Sequence, residues 1–179
     1  RAINKGTDKD AAALIETTYE GKGPQGIAIF VECTTDNLQR TVSNIRSHFN
    51  KHGGELGQNG MLNYLFDRKG VFVVPKGEID RDEFEMELID AGAEDITLED
   101  DVFTIITAME DFGSMIKKLE SLKIEPESAA LQRLPKNTTT LDEEATRKVL
   151  KLIDILEEDE DVQNVFHTLA ISDELAERL

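Results

Sequence analysis

His48 and His52 stand four residues apart, the spacing at which one helical face offers two imidazoles to a zinc ion. From Ser47 the stretch reads SHFNKH, without the glutamate that a zinc-hydrolase pair carries, and no third ligand is spaced to join it, so no metal is expected. Cys33 beside a distant histidine would make a nucleophile and a base. It closes the apolar run from Ile27, however, where a thiol packs as an inert core group. Gly21, Gly23 and Gly26 suggest a phosphate loop, but no Gly-Lys-Ser or Gly-Lys-Thr follows. The apolar strand also comes after the glycines instead of before them, so a hairpin turn is the reading. Carboxylates cluster at Glu99-Asp100-Asp101 and at Glu157 to Asp161. Lacking the alternating spacing and central glycine of a calcium loop, they read as a solvated turn and a helix end. No catalytic set and no cofactor are expected.

A basic set remains. Arg40, Asn44, Ser47 and Lys51 share one face of an expected helix, His48 and His52 lie on or beside it, and Lys22, Arg68 and Lys69 fall near connecting turns. Such residues would contact phosphate electrostatically, and no aromatics are interleaved to stack on bases. Gly53, Gly54, Gly57 and Gly60 admit two readings, a surface that a ligand can approach closely or a helix end with a tight loop. The net charge of −17 opposes nucleic-acid binding, but its distribution is uneven. Residues 1–70 hold nine Lys or Arg against eight Asp or Glu, whereas residues 71–179 hold eleven against twenty-nine. Any phosphate contact therefore belongs to the first 70 residues, and the acidic remainder suits a basic protein partner.

The elements that must position these residues follow from periodicity. Residues 14–19 and 26–33 read as strands joined by a Gly-Pro turn, the second apolar on both faces and therefore central. Asp36 is expected to cap a helix over 37–52, with Gln39 completing a capping box, and Leu38, Val42, Ile45 and Phe49 form its buried stripe. Gly53-Gly54 ends that helix. A strand is expected at 61–66. There follow a strand (71–75), a helix (82–91), two strands (95–99 and 102–108), a helix (111–122) and a strand (128–134). This βαββαβ order is the ferredoxin-like split motif. After a polar linker at 137–140, a helix over 142–158 buries Ala145, Val149, Leu152, Ile153 and Leu156, and a strand at 162–168 closes the pattern.

The fold class expected is α+β in two domains, with the ferredoxin-like unit (70–140) inserted into a discontinuous ββαβ…αβ domain (11–69 plus 141–179). The 39% apolar content suffices for real cores. No apolar run approaches the ~20 residues of a membrane helix, so no membrane partner is expected. A single cysteine fits a reducing compartment, either bacterial cytoplasm or a mitochondrial matrix.

Three segments carry a family likeness: Tyr19-Glu20-Gly21-Lys22-Gly23-Pro24-Gln25-Gly26, Thr34-Thr35-Asp36-Asn37-Leu38-Gln39-Arg40-Thr41, and Phe49 through Gly60. With Asp90 to Asp95 and Leu156 to His167, they resemble the YebC family over nearly the whole chain. That family comprises bacterial DNA-binding transcriptional regulators and the mitochondrial translational activator of cytochrome c oxidase subunit one. The resemblance implies a regulator of gene expression that binds DNA or, in the alternative, associates with ribosomal RNA and assists translation. It also implies a basic N-terminal helical domain that supplies much of the affinity. Arg1 to Gly6 look like the tail of that domain's last helix, with Gly6 placed to end it, so residues 1–10 read as a remnant of a domain whose rest is lacking. Two departures, Phe166-His167-Thr168 for Tyr-His-Asn and Met61-Leu62 for Ser-Val, remove polar groups a member would carry there.

Overall fold

The computed structural model describes residues 14–178, so the expected N-terminal remnant lies outside the described residues. The fold is α+β, and the chain divides into two compact units: the discontinuous one up to Leu65 and from Pro135 onward, and an inserted one, Phe66–Leu134.

In the discontinuous unit, β1 (Ile15–Lys22) and β2 (Ala28–Thr35) pair antiparallel from Ile15 opposite Thr35 to Lys22 opposite Ala28, around a turn at Pro24–Gly26. Helix α1 (Leu38–Lys51) follows, then a short β3 (Glu55–Leu56); α4 (Glu143–Glu158) and β9 (Val162–His167) come from the far side of the insertion. The sheet order is β3-β1-β2-β9, so β2 is central, as its two-sided apolar pattern requires. Ile27, Ile29, Val31 and Cys33 pack against Ile45 and Phe49 of α1 and Val149, Leu152, Ile153 and Leu156 of α4. The stretch expected as a plain linker contains β8 (Thr139–Thr140), which pairs parallel with β10 (Leu169–Ala170); a short α5 (Asp173–Arg178) ends the described chain.

The inserted unit runs β4 (Phe66–Pro75), α2 (Arg81–Asp90), β5 (Ala93–Glu99), β6 (Val102–Ala108), α3 (Phe112–Ser121) and β7 (Ser128–Pro135). Its sheet order, β5-β6-β4-β7, is the ferredoxin-like one. Phe72 and Val74, Phe84 and Leu88, Phe103 and Ile105, and Met115 and Leu119 fill a separate core. Glu99-Asp100-Asp101 forms the β5–β6 turn, where Asp100 and Asp101 take φ of 52° and 62°, the paired positive values of a tight hairpin.

Three expectations need correction. The strand at 61–66 is absent: Asn63–Leu65 is a 3-10 turn, and one continuous strand begins at Phe66. Sheet pairing of Lys69 with Ala108 and Gly70 with Thr107 overrides the turn-like composition of Asp67 to Gly70. Asn37, not Asp36, caps α1; its side chain accepts from Arg40 N at 3.0 Å, while the Asp36 carboxylate meets the Arg40 guanidinium. The buried stripe of α1 is rotated, with Thr41 fully buried and Leu38 43% exposed.

His167 and Thr168 serve the fold. Thr168 Oγ1 accepts from Ala28 N (3.1 Å), and His167 Nδ1 accepts from Leu169 N (3.2 Å). Burial lowers the His167 imidazole below its ordinary value. Its folded pKa then lies below its unfolded one, so the stability it contributes is present above the unfolded value and is lost as pH falls. His167→Asn keeps an acceptor for Leu169 and removes the proton site. The variant should lose less stability than the parent between about pH 7 and about pH 5, read from urea midpoints. Parallel losses would refute the assignment.

Candidate nucleic-acid interface

The sequence-predicted set divides into three places. At the start of α1, Thr35 Oγ1 accepts from Asn37 N, and the chain enters the helix with Asp36 turned back along it. Arg40 Nη2 lies 2.8 Å from Asp36 Oδ1 and 3.0 and 3.2 Å from the two oxygens of Asp161. Those hydrogen bonds raise the Arg40 pKa and hold the Asp36 carboxyl below its ordinary range. Asn44 is exposed on the same side of the helix, and with Arg40, Asp36, Asp159 and Asp161 it lines a cleft of ≈620 Å3. The cleft is acidic, and its one cation is already balanced by carboxylates.

His48 and His52 do not converge. His48 Nε2 meets Asp159 Oδ2 at 2.9 Å, whereas His52 Nδ1 donates to the His48 carbonyl at 2.9 Å. Among the described residues no cluster of three or more His, Cys, Asp or Glu is placed to hold a metal. Ser47 is half-buried on the same helix. Burial pushes the Cys33 thiol up to about 12, with Asp159 and Asp161 adding to the shift, so it stays protonated at neutral pH. The helix end expected at Glu157 to Asp161 is present, with α4 ending at Glu158 and Asp159 as its C-cap, but two of its acids serve the fold. Asp161 is 8% exposed, and the Asp159 and Asp161 side chains turn inward to meet α1.

The second place is the opposite end of α1. Lys51 is exposed, His52 forms the C-cap, and Gly53 adopts φ of 78°, the left-handed step that ends a helix and that only glycine takes without strain. Gly54 N then donates to Phe49 O at 2.8 Å. A Cβ on Gly54 would lie 2.5 Å from the Lys22 carbonyl, so this glycine lets the helix end close on the β1–β2 turn. A Cβ on Gly21 would lie 2.7 Å from the Phe49 ring and from the Glu55 carbonyl. The family-like glycines thus bring Lys22, Lys51 and His52 to one end of the unit. Cations at a helix C-terminus also oppose its partial negative charge. Lys22, Lys51 and Arg46, the last not singled out from sequence, are exposed and have no ion pair among the described residues.

The loop beyond is organised by a residue that sequence reasoning missed. Glu20 is 2% exposed and accepts from Gly60 N at 2.6 Å and Leu62 N at 2.7 Å, while its carbonyl accepts from Gly57 N at 2.8 Å. These backbone donors are therefore spent inside the fold, and the loop offers shape instead of a ready phosphate cradle. Only the position of Glu20 in an otherwise turn-forming motif signalled this. The third place is β4 of the inserted unit, where Lys69 pairs with Glu94 at 2.7 Å and Arg68 is exposed.

Removing the Glu20 carboxylate strands two amide donors. Glu20→Ala is expected to cost about 2–4 kcal/mol, one to two buried donors' worth, and to raise hydrogen exchange at Gly60 and Leu62. Denaturant titration and amide exchange check this, and unchanged exchange at both positions would show that the loop does not depend on Glu20.

A family model described as the TACO1/YebC second and third domain matches residues 14–169. The chain is 49% identical over 173 residues to a probable transcriptional regulatory protein of Amoebophilus asiaticus, covering 95% of this chain and 71% of that protein. It is 47% identical over 169 residues to one of Cytophaga hutchinsonii, covering 94% and 71%. The crystal structure of a conserved hypothetical protein from Aquifex aeolicus is similar at a TM-score of 0.80 and 40% identity, over 90% of this chain and 67% of that one. With the match extending through both units, the chain belongs to the TACO1/YebC family.

Proposed function

We propose that the protein regulates gene expression by binding nucleic acid, without catalysis, and that this chain contributes the end of the discontinuous unit formed by Lys22, Lys51, His52 and the turn at Gly53 and Gly54. The observation that carries the reading is family membership with close relatives named probable transcriptional regulatory proteins. Two features support the placement. Lys22 and Lys51 have no ion pair among the described residues and lie on segments, the β1–β2 turn and the end of α1, that close glycine contacts bring together, whereas Arg40, His48 and Lys69 are each matched to carboxylates. A bacterial cytoplasmic setting is part of the same proposal; no helix among the described residues is long and apolar enough to cross a membrane.

Binding to promoter DNA is the reading that the relatives' name favours. The charge pattern of α1 favours a second reading, association with ribosomal RNA. With Arg40 and His48 tied to Asp36, Asp161 and Asp159, the most basic helix of the unit lacks the free basic row of a major-groove recognition helix. Contact through a few lysines at a helix end instead suits phosphates on a shaped RNA surface.

Ultraviolet crosslinking of the protein in its cells, with sequencing of the bound nucleic acid and mass spectrometry of the crosslinked peptides, tests both. Adducts on peptides spanning residues 17–26 and 46–62 are expected. Promoter DNA on those peptides supports the first reading, and ribosomal RNA the second. Adducts confined elsewhere, or none, would sink the interface. In vitro, Lys22→Gln with Lys51→Gln should reduce the slope of log K against log salt by about 1.8 on duplex DNA or about 1.4 on single-stranded RNA. Arg40→Gln should leave the slope unchanged while lowering the unfolding midpoint, because its charge is already balanced within the fold.

A further inference from the structure

Helix α2 does not follow the pattern of an ordinary surface helix. Phe84 and Leu88 enter the core of the inserted unit at 3% and 0% exposure, yet Met86 and Ile89 point away from it and are 71% and 61% exposed. An amphipathic helix that only had to fold would be polar there. Asp82 and Glu83 in the first turn suit the positive end of the helix dipole. Asp90 lies in the last turn, where negative charge is unfavourable and α2 itself has no basic residue, but Lys117 and Lys118 of α3 line a depression with it. Folding thus accounts for these acids but not for the exposed Met86 and Ile89. Among the described residues, Asp82, Glu83 and Asp90 are exposed and have no ion pair, in contrast to Glu85, which binds Arg81, and Glu87, which binds Lys118. Along one flank of the helix runs a groove of ≈170 Å3, floored by Ile79, Phe84, Leu122 and Ile124 and rimmed by Asp80 and Glu83.

We propose that this face, the exposed Met86 and Ile89 with the acid-rimmed groove beside α2, is a docking surface for a cationic polypeptide segment that carries an apolar anchor residue. Charge selects the occupant. The inserted unit holds eighteen Asp or Glu against eight Lys or Arg. A nucleic acid, an anionic membrane and a second copy of the unit would each bring like charge against it. A lysine- or arginine-rich segment would gain from Asp82, Glu83 and Asp90 as rim charges, and its aliphatic side chain would be buried against Met86 or in the groove. A surface this small fits a transient contact instead of a permanent one. The proposal does not rest on the nucleic-acid reading, because none of its residues belongs to the discontinuous unit.

The test uses the 179-residue chain, labelled at methionine and isoleucine methyl groups, and a short synthetic helical peptide of leucine and lysine as the probe. Methyl shifts on titration are expected at Met86, Ile89, Ile79 and Ile124. Met86→Ser with Ile89→Ser, both on exposed positions, should weaken binding about tenfold without changing the thermal midpoint. A peptide of equal charge with glycine in place of leucine should bind weakly and without shifts at the groove. The proposal is overturned if the leucine-free peptide binds equally well, if the shifts spread over all acidic segments or centre on Glu157 to Asp161, or if the double variant binds unchanged. Shifts at Met86 and Ile89 that appear with protein concentration alone would assign the face to a second copy and overturn the choice of partner.

Discussion

The discontinuous unit holds together around one buried carboxylate. Asp161 comes from the segment after the insertion, and its side chain accepts from Arg40 and Thr41, 121 and 120 positions earlier in the chain. Its carbonyl accepts from Thr34 N at 2.9 Å, and its own N–H donates to Asp159 Oδ1. Asp159 in turn meets His48. At 8% exposure, Asp161 unpartnered would carry a desolvation cost of several kcal/mol, so the helix and the α4–β9 junction are constrained to one register. The β2–β9 ladder shifts register between Glu32 and Cys33, beside this network. An apolar substitute of the same volume could match the network in net stability. What the ion pairs contribute, on this reading, is a fixed way for two distant segments to close on each other.

The same carboxylates decide which cations remain available. Arg40 lies in the middle of the family-like segment and looks from sequence like a phosphate ligand, but its charge is shared between Asp36 and Asp161. Lys22 and Lys51 have no such partners. Glu20 acts on the backbone in a comparable way, since it takes the amides of Gly60 and Leu62 that a glycine-rich loop would otherwise present to an anion. Acids of the fold thus take up both a surface cation and the loop's amide donors, and the glycine motifs matter for how closely α1, the β1–β2 turn and Glu55 approach one another.

Most of the architecture was legible because long periodic segments carry it. The six elements of the inserted unit follow directly from their apolar spacing, as does the central placement of β2. Errors arose where a single polar contact overrides a local pattern. Thr41 replaces Leu38 in the buried stripe because Asp161 satisfies its hydroxyl, and Asn37 caps the helix because Arg40 occupies Asp36. The missing strand at 61–66 has the same origin, since the amides of Gly60, just before it, and Leu62, within it, bond to a glutamate 40 and 42 positions away. Periodicity carries no trace of partners so far off in sequence. The candidate site was legible as a list of residues. Its division into a neutralised end, an open end and a separate unit was not, because ion pairing depends on the fold.

A net charge of −17 would by itself assign this protein to basic partners alone. Charges on a solvated surface act over about a Debye length, ~8 Å at physiological salt, so a phosphate responds to the groups beside it far more than to the sum. Locally the chain is not uniform: among the described residues, α1 ends in cations without an ion pair, whereas α2 ends in an acid without one, next to exposed apolar side chains. Each helix end departs from neutrality in the direction opposite to the other, and each does so where internal ion pairs could have cancelled the charge, as they do at Arg40 and Glu87. What can approach either helix end is therefore set by the groups beside it and not by the total of the chain.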